Sequence, residues 1–164
     1  METRQTTTSA IVEQARNVYQ GMSQARRVAA AGAGVGVLSS VLPWYSVSSS
    51  IPGYNASASI NGWHGWGLLV LLAFIVAGAL ALFPVLGAQT RALLPNLALR
   101  LGDARLTGGL GAVAIVATFA FMHTEGSGVS YPGLSEGLSF GADLGLLAAL
   151  AVVAGGVMLG REGR

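Results

Sequence analysis

The side chains of this 164-residue chain that could do chemistry are few, and most lie in two short stretches between long apolar runs. His64, His123 and Asp143 combine two imidazoles with a carboxylate, a donor set that suits a borderline metal such as zinc or copper. Asn61, Glu125, Tyr131 and Glu136 are the other polar candidates in those stretches. The spacing argues against a metal, because no His-x-x-x-His or comparably close pair is present. Axial haem ligation by the two histidines is disfavoured by positions close to the water boundary. The competing assignment is structural. Asp143 would cap a helix, where a carboxylate meets the positive end of the helix dipole. His64 and His123 would bond to loop backbone.

Other chemistries are excluded more firmly. The chain has no cysteine, so thiol catalysis, Cys-ligated zinc, iron–sulfur clusters and disulfides are impossible. No nucleophile motif and no phosphate-cradling loop is present. Gly32-Ala33-Gly34-Val35-Gly36 lies inside an apolar run with no preceding strand, so it is not a nucleotide loop. Basic patches of the kind that bind nucleic acid are absent. The expectation is a protein that is not an enzyme and carries no cofactor.

The elements that hold these residues are read from composition. Hydrophobic residues make up 52% of the chain and charged residues 10%, against about 25% charged in a soluble domain. The net charge of +2 with such hydrophobicity excludes disorder. Four apolar segments, at about 28–47, 66–86, 106–122 and 138–159, approach the roughly 20 residues that a helix needs to cross a bilayer. Helix is the expected form, since they lack the strict alternation of barrel strands. Arginine orients them. Arg4, Arg16, Arg26 and Arg27 precede the first segment, Arg91, Arg100 and Arg105 lie between the second and third, and Arg161 and Arg164 follow the fourth. The positive-inside rule then makes both termini cytoplasmic and turns the stretches 48–65 and 123–137 outward. A cleaved signal peptide fits poorly, because the first apolar segment is too long for one.

The expected fold is therefore an all-α integral membrane protein, a bundle of four transmembrane helices. It divides into a cytoplasmic amphipathic helix (1–27), a transmembrane domain (28–160) and a short cytoplasmic tail (161–164). Nine arginines without one lysine suggest a GC-rich genome and hence a bacterial plasma membrane. Trp44, Trp63 and Trp66, with Tyr45, Tyr54 and Tyr131, suit an aromatic belt at the outer boundary.

Finer patterns divide the chain further. Ile51-Pro52-Gly53 leads to Gly67-Leu68-Leu69 much as Tyr131-Pro132-Gly133 leads to Gly145-Leu146-Leu147, which suggests parallel duplication of a helix hairpin. Alternation of larger and small polar residues on both sides of Pro52-Gly53 predicts a β-hairpin over about 45–60. A lone hairpin is marginal in water, so it needs the second outer loop, another subunit or the membrane surface as a partner. Ile11, Val12, Val18, Tyr19 and Met22 form the apolar stripe of a helix predicted over 9–25, which would lie on lipid or dock on a neighbouring helix. The middle loop, from Gly87 to Arg105, predicts an interfacial helix broken at Pro95. Small residues recur every fourth position, as in Gly32-xxx-Gly36, Ala73-xxx-Ala77-xxx-Ala81, Gly108-xxx-Ala112 and Gly141-xxx-Gly145-xxx-Ala149, a spacing that permits close helix contact.

The layout, with four apolar segments, a long β-forming first outer loop containing tryptophan and a shorter second one, resembles that of the claudin-like tetraspans. The cysteine pair of that family is absent, and Trp63-His64-Gly65-Trp66 is not its tryptophan motif, so no function is carried over. The expected role is a structural or accessory subunit of the bilayer. It would assemble with itself or in a larger membrane complex through the N-terminal stripe and through Tyr54, Trp63 and Trp66. The alternative is a channel or transport subunit with its path between protomers. A metal or cofactor protein built on His64, His123 and Asp143 ranks below both.

Overall fold

A computed structural model of the chain describes residues 13, 16, 20–51, 54–82, 102–125 and 134–163. In chain order these form α1 (Gln24–Val41), β1 (Pro43–Ile51), β2 (Tyr54–Asn61), α2 (Trp66–Leu82), α3 (Asp103–Glu125), β3 (Leu134–Leu138) and α4 (Phe140–Glu162). The chain is mostly helical, but it is not all-α.

Local chemistry sets the helix ends. Ser23 caps α1, its hydroxyl accepting from the Arg26 N–H. Leu42 turns extended and Pro43 cannot extend the helix, so α1 stops at Val41. Hydropathy carries the first apolar segment on to Val47, because it cannot separate a helix from the apolar strand that follows. The helix predicted over 9–25 is likewise interrupted at Ser23. Its described residues Glu13, Arg16 and Gln20 are helical and exposed, and Met22 is 4% exposed. Ile11, Val12, Val18 and Tyr19 lie outside the described residues, as do Tyr131 and the middle loop up to Leu101. Gly102 adopts a φ of +74°, which favours glycine, and α3 starts at the next residue. It runs past the apolar segment at both ends, since His123, Thr124 and Glu125 end the hydropathy signal without ending the helix.

The strands form one antiparallel sheet in the order β2-β1-β3. The hairpin is present, paired from Tyr45↔Ile60 to Ile51↔Tyr54. Its partner is the second loop, whose β3 pairs with β1 from Tyr45↔Leu138 to Ser49↔Leu134. The β1–β2 register shifts between Pro43 and Tyr45, so Trp44 is an extra residue in the strand. Such a bulge turns a side chain that regular alternation would aim elsewhere.

The helices pack in a ring, α1 against α4, α4 against α3, α3 against α2 and α2 against α1. Their inner faces carry small residues. Ala29 of α1 abuts Gly155 of α4, and Gly108 of α3 abuts Gly156. The small-residue stripe of α3 is displaced from the expected one. Ala112 is exposed, while Gly111, Ala114 and Ala117 are buried. Among the described residues two helices, Asp103–Thr124 and Phe140–Glu162, are long and apolar enough to cross a membrane, and Trp66–Leu82 is a shorter apolar helix.

Candidate functional site

The sheet closes one end of the helix ring, and Trp44 joins the two. Its side chain is fully buried, although tryptophans near the end of an apolar segment suggest an interfacial belt. The indole Nε1–H donates to the Ser39 carbonyl at 2.8 Å, which satisfies the polar atom that burial would otherwise strand. Phe121 of α3 meets the ring edge-to-face, with centroids 5.1 Å apart and planes at 87°. Three glycines make the remaining room. A Cβ on Gly62 would stand 2.7 Å from the indole, one on Gly141 2.7 Å and one on Gly145 3.0 Å. The first turns of α4, expected to meet another helix backbone, form a slot for this ring instead. Trp63 and Trp66 are the exposed tryptophans, at 54% and 47%.

Around Trp44 the loops are fastened by specific bonds. The Ser139 amide donates to the Trp44 carbonyl at 2.9 Å, and the Ser139 hydroxyl donates to that of Ser46 at 2.9 Å. The buried Tyr45 donates its hydroxyl to Glu136 Oε2 at 2.7 Å. Glu136, a candidate for chemistry in the sequence, thus fastens β3 to β1. The Gly62 amide donates to the Ser40 carbonyl at 3.0 Å, which returns β2 to the end of α1.

The candidate ligands occupy separate places at this end. His64 precedes α2 and is exposed, its Nδ1 3.2 Å from Asn61 Oδ1. The same oxygen accepts the Trp63 N–H at 3.3 Å. With the proton on Nδ1, the Nε2 lone pair remains available. An open hollow of about 520 Å³ lies here, lined by Val41, Pro43, Ser59, Ile60, Asn61 and His64. His123 is exposed in the last turn of α3. Asp143 is exposed in the first turn of α4, where Ser139 holds the N-cap position expected of it. Among the described residues no group of three His, Asp or Glu side chains could hold a metal ion, so His64, His123 and Asp143 are not brought together.

At the far end Arg26 and Arg27 have internal partners. Arg26 donates to Asp103 Oδ2 at 2.8 Å and reaches the Leu80 carbonyl at 3.5 Å, which joins α1, α2 and α3. Arg27 donates to the Met22 and Gln20 carbonyls at 3.0 and 2.8 Å, groups that the interrupted N-terminal helix leaves open. Their place before an apolar segment indicates orientation and says nothing of these internal bonds. Residue type and spacing alone do not mark Ser39, Ser46 or the cage of Trp44. The one local signal is Pro43, which marks the chain's exit from α1.

The sequence matches no family model, and no curated protein is significantly similar to it.

Proposed function

We propose that the chain is a four-span membrane protein with both termini in the cytoplasm, acting as a non-enzymatic structural or accessory subunit. One observation carries the reading: alanine and glycine take much of the interior, around a few large side chains such as Phe74, Phe121 and Val152, while many large apolar side chains face outward. Ala29, Ala33, Ala77, Ala114, Ala142 and Ala149 are buried, while Leu38, Leu72, Ile75, Val116, Leu147 and Leu150 are exposed. In water this distribution is unfavourable, because the large side chains would gain most from burial. In lipid it is favourable, since tails solvate large apolar groups and contact between helices depends on close backbone approach.

The interior supports a structural role over transport. The buried polar side chains among the described residues are Ser39, Ser40, Thr107 and Thr118, none of them titratable. Proton and ion paths usually need intramembrane ionisable groups. The ring order sets α1 opposite α3 and α2 opposite α4, as two helix hairpins related by a two-fold along the bundle would be. That agrees with the duplication suggested by the repeated Pro-Gly and Gly-Leu-Leu segments.

Native mass spectrometry from mild detergent tests the role. A homo-oligomer or a co-purifying membrane protein is expected. A strictly monomeric species without a partner overturns it.

A further inference from the structure

The strand β2 forms one edge of the sheet. It pairs with β1 on one side, and among the described residues nothing pairs with its other side. Residues 55–60 are all exposed. Opposed residues in an antiparallel ladder alternate between pairs that exchange both backbone hydrogen bonds and pairs that exchange none. The two-residue connection makes Ile51–Tyr54 a bonded pair, so Ala56 and Ala58, opposite Ser49 and Val47, also bond inward. Asn55, Ser57 and Ser59 then direct their N–H and C=O groups away from β1.

Edges of this kind are normally blunted by charge, proline, a bulge or a covering segment. From Tyr54 to Asn61 the strand reads Tyr-Asn-Ala-Ser-Ala-Ser-Ile-Asn, with no charge and no proline, and its register runs unbroken from Tyr54 to Ile60. We propose that this edge docks a second copy of the chain, β2 against β2, antiparallel about a two-fold axis at Ser57. The proposal rests on the assembly reading above and names its contact.

The strand suits itself as a partner. Centred on Ser57, Asn55 meets the partner's Ser59, Ala56 meets the partner's Ala58, and Ser57 meets its own copy. Every one of these cross-strand pairs is small and uncharged, so no like charges are opposed. The three outward residues of each copy exchange about six backbone hydrogen bonds in this register. The arrangement is closed and isologous, the commonest form of oligomer.

The absence of cysteine makes the test clean. In the full chain in lipid vesicles, Ser57→Cys under mild oxidation is expected to give a covalent dimer. Paired Cα atoms would stand about 5.5 Å apart, within the range that a disulfide bridges. Ser48→Cys, exposed on the central strand β1, is the control and should crosslink several-fold less. Ser57→Pro removes an N–H that the β1 ladder does not use and should abolish the dimer in native mass spectrometry, with the circular dichroism spectrum unchanged. Equal crosslinking of the two cysteine variants overturns the proposal, as does a dimer that survives Ser57→Pro. If the parent chain is still oligomeric or partnered in either case, the assembly reading stands and its contact lies elsewhere. A Ser57→Cys crosslink in native membranes to another protein, and not to its own copy, overturns self-docking and assigns the edge to that protein.

Discussion

Trp44 is the side chain on which the sheet end most depends. Truncating a fully buried aromatic costs about 3–5 kcal/mol, because the cavity adds to the lost transfer energy. Trp44→Ala should therefore lower unfolding stability by about that much in a detergent denaturation series, whereas the exposed Trp63→Ala should change it by less than about 0.5 kcal/mol. The Arg26–Asp103 pair is expected to be worth far less than its 2.8 Å distance suggests. Its side chains are 19% and 42% exposed, so solvent screens the attraction. A double-mutant cycle of Arg26→Ala and Asp103→Ala should return a coupling below about 1 kcal/mol. Neither role was legible from residue type. Tryptophan at the end of an apolar segment looks interfacial until Gly62, Gly141 and Gly145, distant in sequence, are brought around it. Arginine before an apolar segment looks like a headgroup contact until the start of α3 is set beside it.

Among the elements, the hairpin was the most legible, because period-two alternation on both sides of Pro52-Gly53 leaves few alternatives. The third strand was not. Leu134-Ser135-Glu136-Gly137-Leu138 is short, contains glycine and has no run of β-branched residues, so it forms a strand because β1 offers it an edge. Its attachment depends on few bonds, and that gives a measurable outcome. Tyr45→Phe removes the hydroxyl that donates to Glu136, a bond worth about 1 kcal/mol net at a partly exposed site. Amide exchange at 134–138 should accelerate several-fold, with protection in the helices unchanged. Helix ends were legible where a backbone signal marked them, as Pro43 does after α1, and illegible where only polarity changed, as at His123. Ser23 breaks the predicted N-terminal helix by capping the next one, although a period-3.6 stripe runs up to the residue before it.

At the scale of the whole molecule, apolar composition pointed to lipid early, and the arrangement of the helices came only with the structure. Four-residue spacing of small residues was too common to choose partners. It correctly marked Gly32 and Gly36 as contact positions but misassigned Ala112, and at Gly141 and Gly145 it mistook a ring slot for a helix contact. Orientation can be checked directly in a chain without cysteine. In intact cells, Trp63→Cys should react with a membrane-impermeant maleimide, whereas Gly21→Cys should react only after permeabilisation. Labelling in the reverse order would invert the proposed direction, and equal labelling of both in intact cells would contradict a span between them.

The bulge at Trp44 also has a mechanical meaning. The strand that carries the hairpin continues directly from α1, and its second residue is held between Phe121 of α3 and the glycine faces at the start of α4. A tug on the hairpin from a neighbouring molecule would therefore not stop at a flexible loop. It would load three helices at once through a single indole, as a peg loads the frame it is driven into. A chain built this way resists being pulled at its sheet end, and sideways tension between docked copies would be passed into the body of each bundle.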